Sequence, residues 1–196
     1  MKTRATLIGF TAILMWSFLA LMTAASGTMP PFQLSAITFA IGSLPGLILF
    51  AARPERLNAL RQPPKVWLAG VGGLFGYHFL YFTALRNAPA VEAGLIAYLW
   101  PLLIVLFSGL LPGERLKAIH VTGAVIGFSG VAVLSGGAGL ADIATYWPGY
   151  LCAIGSALFW SGYSVLSRRF AAVPTDAVTG FCLGAAALGV VTHLAF

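Results

Sequence analysis

The sequence predicts an all-α polytopic membrane protein built on inverted repeats, and three observations predict it. Hydrophobic residues make up 59% of the 196 positions and charged residues 8%, with a mean hydropathy of +0.92, far from the balance of a soluble domain. The apolar residues gather into seven stretches, each near the roughly 20 residues a helix needs to cross the hydrocarbon core. Trp16-Ser17, in the first stretch, recurs as Trp160-Ser161 in the sixth, and at the same offset Leu14 recurs as Leu158 and Pro30 as Pro174. An odd number of crossings separates the copies, so the second is inverted. Inverted repeats of this kind place one central site between two gates in many secondary transporters.

The first span, Ala5–Ala25, follows Lys2 and Arg4 and ends in the small residues Thr23-Ala24-Ala25, features a cleavable signal peptide shares. Its near-spanning length and its Trp-Ser pair argue for a retained helix. Pro31–Phe50 opens on a proline, which suits a first helical turn. Val66–Leu85, Val91–Leu110, Ala118–Ser135, Gly149–Ser167 and Thr175–Phe196 complete the seven. They lack the alternation of a barrel wall. Pro45 and Pro101 fall inside spans, where each removes a backbone donor and marks a kink or a hinge. Gly42–Gly46, Gly72–Gly76, Gly123–Gly127 and Gly180–Gly184 are small-xxx-small pairs, expected at close helix contacts. Cys152 and Cys182 lie inside spans, without disulfide or metal spacing; no metal or cofactor is expected.

The formal charge of +6 invites a nucleic-acid reading, which its placement excludes. With the N-terminus in the cytoplasm, Lys2, Arg4, Arg53, Arg56, Arg61, Lys65, Arg115, Lys117, Arg168 and Arg169 fall on the inner side, and only Arg86 falls outside. This is the positive-inside pattern of a multi-pass membrane protein.

Polar-tipped aromatics normally gather at the interface, as expected for Tyr146, Trp147, Tyr150 and Trp67. Trp16, Tyr77, His78, Tyr81, Trp100 and Trp160 instead fall near the midpoints of their spans. Tyr77, His78 and Tyr81 share one face of the third helix. Facing lipid, these polar tips would lack partners, so they are expected to line an interior cavity. Such a cavity suits a flat ring bearing an ammonium group, through stacking and cation–π contact. A single midplane Trp, or a His bonded to a nearby carbonyl, is ordinary packing; the shared depth of six is what points to a site.

No carboxylate lies at midplane. Glu92 is at the outer end of the fourth span, with Arg86 as its expected ion-pair partner across the short turn. Asp176 is expected near Arg168 and Arg169. Gly127-Phe128-Ser129-Gly130 resembles the motif of an intramembrane serine hydrolase, with His193 as the conceivable base. Glycine-rich quartets arise easily in this composition, so no catalytic residue is assigned.

The run Glu92-Ala93-Gly94-Leu95-Ile96-Ala97-Tyr98-Leu99-Trp100-Pro101, with Gly113-Glu114-Arg115 and Thr122-Gly123…Gly127…Gly130-Val131, resembles the EamA repeat of the drug/metabolite transporter superfamily. Residues 76–85 together with Tyr98-Leu99-Trp100-Pro101 resemble more closely the YddG-type aromatic amino acid exporters. The resemblance implies a ten-helix fold of two inverted five-helix repeats, of which about seven helices are covered. Residues 1–137 would form the first repeat and residues 147–196 the first two helices of the second, incomplete at Phe196, as in a partial sequence. It also implies a central cavity lined by the same six residues and export of phenylalanine, tyrosine, tryptophan and related amphipathic compounds by alternating access. A carrier of the same family for other amino acids or metabolites is the second reading. Single cysteines test the expected orientation: one in the Ser26–Pro31 turn should react with an impermeant reagent on intact cells, and one at Asn58 only after permeabilisation. Labelling of Asn58 from outside would invert the topology.

Overall fold

A computed structural model of the chain describes residues 2–111, 113, 114, 116–134, 142–170 and 172–195. Arg115, Ser135, Phe196 and the expected end of the first repeat at residue 137 lie outside the described residues, as do the side chains of Lys2, Arg4 and Val131. The described residues form α1 (Lys2–Ser17), α2 (Leu19–Ala25), α3 (Pro31–Ala52), α4 (Pro64–Asn87), α5 (Ala90–Ala97), α6 (Trp100–Ser108), α7 (Ala118–Leu134), α8 (Ile143–Ser167) and α9 (Ala177–Ala195). Two 3-10 turns, Pro54–Leu60 and Arg168–Phe170, join α3 to α4 and follow α8. Six helical runs are long and apolar enough to cross a membrane: Thr6–Ala25, Pro31–Ala52, Pro64–Asn87, Ala90–Ser108, Ile143–Phe170 and Ala177–Ala195. The expected fifth span is α7, a shorter helix of 17 residues. The protein is an all-helical, multi-pass membrane protein.

Prolines set the helix starts. Pro30-Pro31, Pro63-Pro64 and Pro89 precede or open α3, α4 and α5, where a missing N–H is one of the donors a helix leaves unbonded anyway. Inside a span, proline acts differently. Pro101 has no N–H to give the Ala97 carbonyl, and the fourth span breaks at Tyr98-Leu99, just ahead of it. The first span is also interrupted, at Phe18, with no proline present. Pro45 leaves α3 continuous. Between α2 and α3 the chain reverses through Gly27, whose φ of 65° suits a residue without Cβ.

α8 is the hub, packed against α4, α5 and α6, while α9 lies across α3 and α4 and α7 rests on α6. Small residues make the close approaches. Gly46 faces Thr179, Gly73 faces Tyr163, Gly76 faces Phe159, Gly180 faces Leu60 and Trp67, and Gly184 faces Val71. Of the four expected glycine pairs, only Gly180–Gly184 has both members in contact. Gly42, Gly72, Gly123 and Gly127 meet nothing within 4 Å. Among the glycines outside those pairs is Gly149, where an added Cβ would lie 2.6 Å from the Asn87 carbonyl carbon and from the Ala88 Cβ.

Two further expectations are corrected. Arg86 does not pair with Glu92: its guanidinium donates to the Met29 carbonyl at 3.1 Å, and also to the Gly27 carbonyl and Ser26 Oγ. The Tyr150 hydroxyl donates to Glu92 instead. Tyr150 is buried against α4 and α5, and Trp67 packs edge-on against Phe181 at 5.4 Å. Asp176 pairs with Arg56, at 3.0 Å, while Arg168 reaches Glu114 at 3.7 Å.

Gly149→Ala should destabilise the protein by about 1–3 kcal/mol, because the obstructing atoms are backbone and cannot swing aside. Its thermal midpoint in detergent should fall by several degrees. Gly123→Ala, with open space at its Cβ, should lose nothing. Equal midpoints for the two variants would contradict the packing described.

Candidate functional site

Two interrupted spans and two continuous ones meet around a cavity of about 70 Å³. The six residues at midplane depth, Trp16, Tyr77, His78, Tyr81, Trp100 and Trp160, all line it, joined by Leu19, Ala97 and Tyr98. Each arrives by a local cause. Tyr77, His78 and Tyr81 fall on one face of α4 because they are three and four residues apart. Trp100 is the first residue of α6, placed there by the break that Pro101 imposes. Trp16 precedes the interruption at Phe18, and Trp160 lies in the unbroken middle of α8.

The rings contact one another as well as the cavity. Trp16 stands edge-on to both Trp100 and Trp160, at centroid distances of 6.4 and 6.2 Å. Tyr77 lies 4.8 Å from Trp160 and stacks on Tyr81 at 5.7 Å. Such arrangements match the electrostatics of aromatic faces and edges. The two Trp-Ser pairs thus meet at the cavity through their tryptophans. Ser161 adds a second link: its hydroxyl lies 3.0 Å from the Trp100 carbonyl and 2.6 Å from the Ala157 carbonyl. Its partner in the pair, Ser17, donates to Leu14 of its own helix at 2.7 Å.

His78 is fixed by its own helix. Its Nδ1 donates to the Leu74 carbonyl at 2.9 Å, which in a neutral ring leaves Nε2 as an acceptor. Phe39 and Tyr77 hold the ring edge-on, each at 4.8 Å. The cavity lining therefore offers aromatic faces, phenolic hydroxyls, indole N–H groups and an imidazole. No carboxylate lines it among the described residues. Charge must be met by ring faces and dipoles.

Tyr98 is the polar-tipped lining residue that was not among the expected six. It sits in the break itself, half exposed, and also borders a groove between α6 and α7. The Tyr98-Leu99-Trp100-Pro101 run was its sequence signal. The hydrolase pattern finds no support in placement. Ser129 donates to the Val125 carbonyl of α7 at 2.9 Å, and α7 packs on α6, whereas His193 ends α9, which packs on α3 and α4.

Residues 3–136 match the EamA-like transporter family. The whole chain is 58% identical to the aromatic amino acid exporter YddG of Ancylobacter novellus, covering 69% of that protein. It is 31% identical over 183 residues to the aromatic amino acid exporter YddG of Escherichia coli, covering 87% of this chain and 61% of that one. A solved crystal structure of a protein 58% identical in sequence matches all of this chain with a TM-score of 0.83, and 68% of its own chain is covered. The chain thus spans between about three fifths and seven tenths of the length of these relatives.

Proposed function

The chain belongs to the EamA-like transporter family, and from that premise we propose that it exports aromatic amino acids across the bacterial inner membrane by alternating access. The N-terminus would be cytoplasmic, and the cavity bounded by Trp16, Tyr77, His78, Tyr81, Trp100 and Trp160 would be the substrate site. The observation that carries the reading is the convergence of those six side chains, from α1, α4, α6 and α8, on one cavity. The name of the Ancylobacter novellus relative supports the substrate class.

The chemistry suits the substrate at both ends. An aromatic side chain would stack among Trp and Tyr rings, each pair contributing ~0.5–1.5 kcal/mol. The ammonium would meet ring faces and the Ala97 carbonyl, which Pro101 cannot satisfy. His78 would face the amino or carboxylate end. At about 70 Å³ the cavity is well below the roughly 300 Å³ at which ligand pockets begin. Entry of a substrate ring therefore requires the tryptophans to part. The interruptions at Phe18 and at Tyr98-Leu99 adjoin Trp16 and Trp100 and supply the places where the helices can bend. Two inverted repeats would then exchange the open side of the cavity.

Binding to purified protein tests the site. Trp100→Ala should weaken tryptophan binding about fivefold, equivalent to ~1 kcal/mol of stacking. His78→Ala should weaken phenylalanine and tryptophan alike. Trp147→Ala, an exposed ring far from the cavity lining, and Ser129→Ala should bind as the parent does. Monodisperse Trp100→Ala and His78→Ala proteins that bind both amino acids normally would reassign these residues to packing.

Coupling has its own readout. With no carboxylate in the cavity lining among the described residues, counterflow of labelled phenylalanine in proteoliposomes should continue after the proton gradient is collapsed. Counterflow that stops on collapse and returns with the gradient would show that protonation is part of the cycle.

A further inference from the structure

We propose that the outer face of α8 is a site for an anionic phospholipid, with its headgroup on Arg169 and its two acyl chains in the grooves to either side. One groove, between α4 and α8, encloses about 660 Å³ and is floored by Gly72, Gly155 and Leu158. The other, between α6 and α8, encloses about 330 Å³ against Phe107, Leu111 and Val165. Gly162 and Leu166 border both, so the two grooves meet on one face of α8. An added Cβ at Gly162 would touch nothing within 4 Å, which leaves the junction open. Arg169 lines the second groove at the end of α8.

The charges set the occupant. Arg168 is turned to Glu114, whereas Arg169 has no acidic partner among the described residues. Two apolar grooves that join beside one unpaired guanidinium reproduce the layout of a diacyl lipid. Depth agrees as well. Gly162 lies seven residues, about 10 Å, from Arg169 along the helix, within a single leaflet of about 15 Å. Within a bilayer an apolar groove does not by itself prefer a bound tail over bulk tails, because both are hydrocarbon. Selection therefore falls on the headgroup, where a guanidinium near the surface favours a phosphate with net negative charge.

Native mass spectrometry of the purified protein, equilibrated with equal amounts of phosphatidylglycerol and phosphatidylcholine in detergent, tests the site. Phosphatidylglycerol should be retained about fivefold over phosphatidylcholine, the preference one basic side chain near a headgroup sustains. Arg169→Gln should abolish that preference and Arg169→Lys should keep it. Arg61→Gln, which removes a basic residue elsewhere at the same end of the bundle, should leave it intact. Gly162→Trp, which fills the junction, should reduce retention of both lipids. Equal retention of the two lipids by the parent protein would overturn the proposal. So would a loss as large in Arg61→Gln as in Arg169→Gln, which reports diffuse charge. A cross-link from a photoreactive residue at position 162 to a second copy of the chain, instead of to lipid, would also overturn it.

Discussion

Every backbone carbonyl that a membrane helix fails to satisfy must find its donor inside the protein, because hydrocarbon supplies none. This constraint keeps the spans helical, and it makes the break at Tyr98-Leu99 informative. Pro101 withdraws one donor, and the chain responds by ending α5 and starting α6 beside it. The break lies against the cavity and against α8, where Ser161 donates to the Trp100 carbonyl. The cavity exists because two spans are interrupted at the depth where aromatic residues can fill the space.

Small residues and large ones divide the work. Alanines and glycines on α8 and α9 let the backbones approach, as at Ala153, Ala157 and Ala185, all fully buried. Close approach at those contacts leaves the aromatic rings to set the spacing at the centre, where Trp16, Trp100 and Trp160 stand edge to face. Two buried serines return their hydroxyls to carbonyls of their own helix, Ser43 to Ala40 and Ser156 to Ala153. Polar atoms are thereby kept inside without a partner from another helix.

The six site residues were legible in the sequence because their common position along the spans needs only span ends and a constant rise per residue, and all six line one cavity. Partners were less legible. Periodicity identifies the face on which Gly72 and Gly123 lie, but not how closely another helix approaches, and an added Cβ at either would meet nothing within 4 Å. The environment of Arg86 was missed for a related reason. Proximity in sequence favoured Glu92, whereas the folded chain brings in the reversal at residues 26–29, nearly sixty positions away. Gly149 was invisible because its function depends on a backbone contact with Asn87. Tyr98 carried both a motif signal and a place near the middle of Val91–Leu110, but sequence does not show which face of a broken helix turns inward.

The Arg86 contact bears on how one rim of the bundle responds to its surroundings. Its three acceptors are two carbonyls and a hydroxyl, none of which carries a charge or gains a proton in acid. A guanidinium held by neutral oxygens is far less exposed to ionic screening than one held by a carboxylate. Arg56, at the opposite end of the bundle, depends on the Asp176 carboxylate and so on the ionic strength around it. One rim is insulated from salt by its choice of acceptor, while the other answers to it.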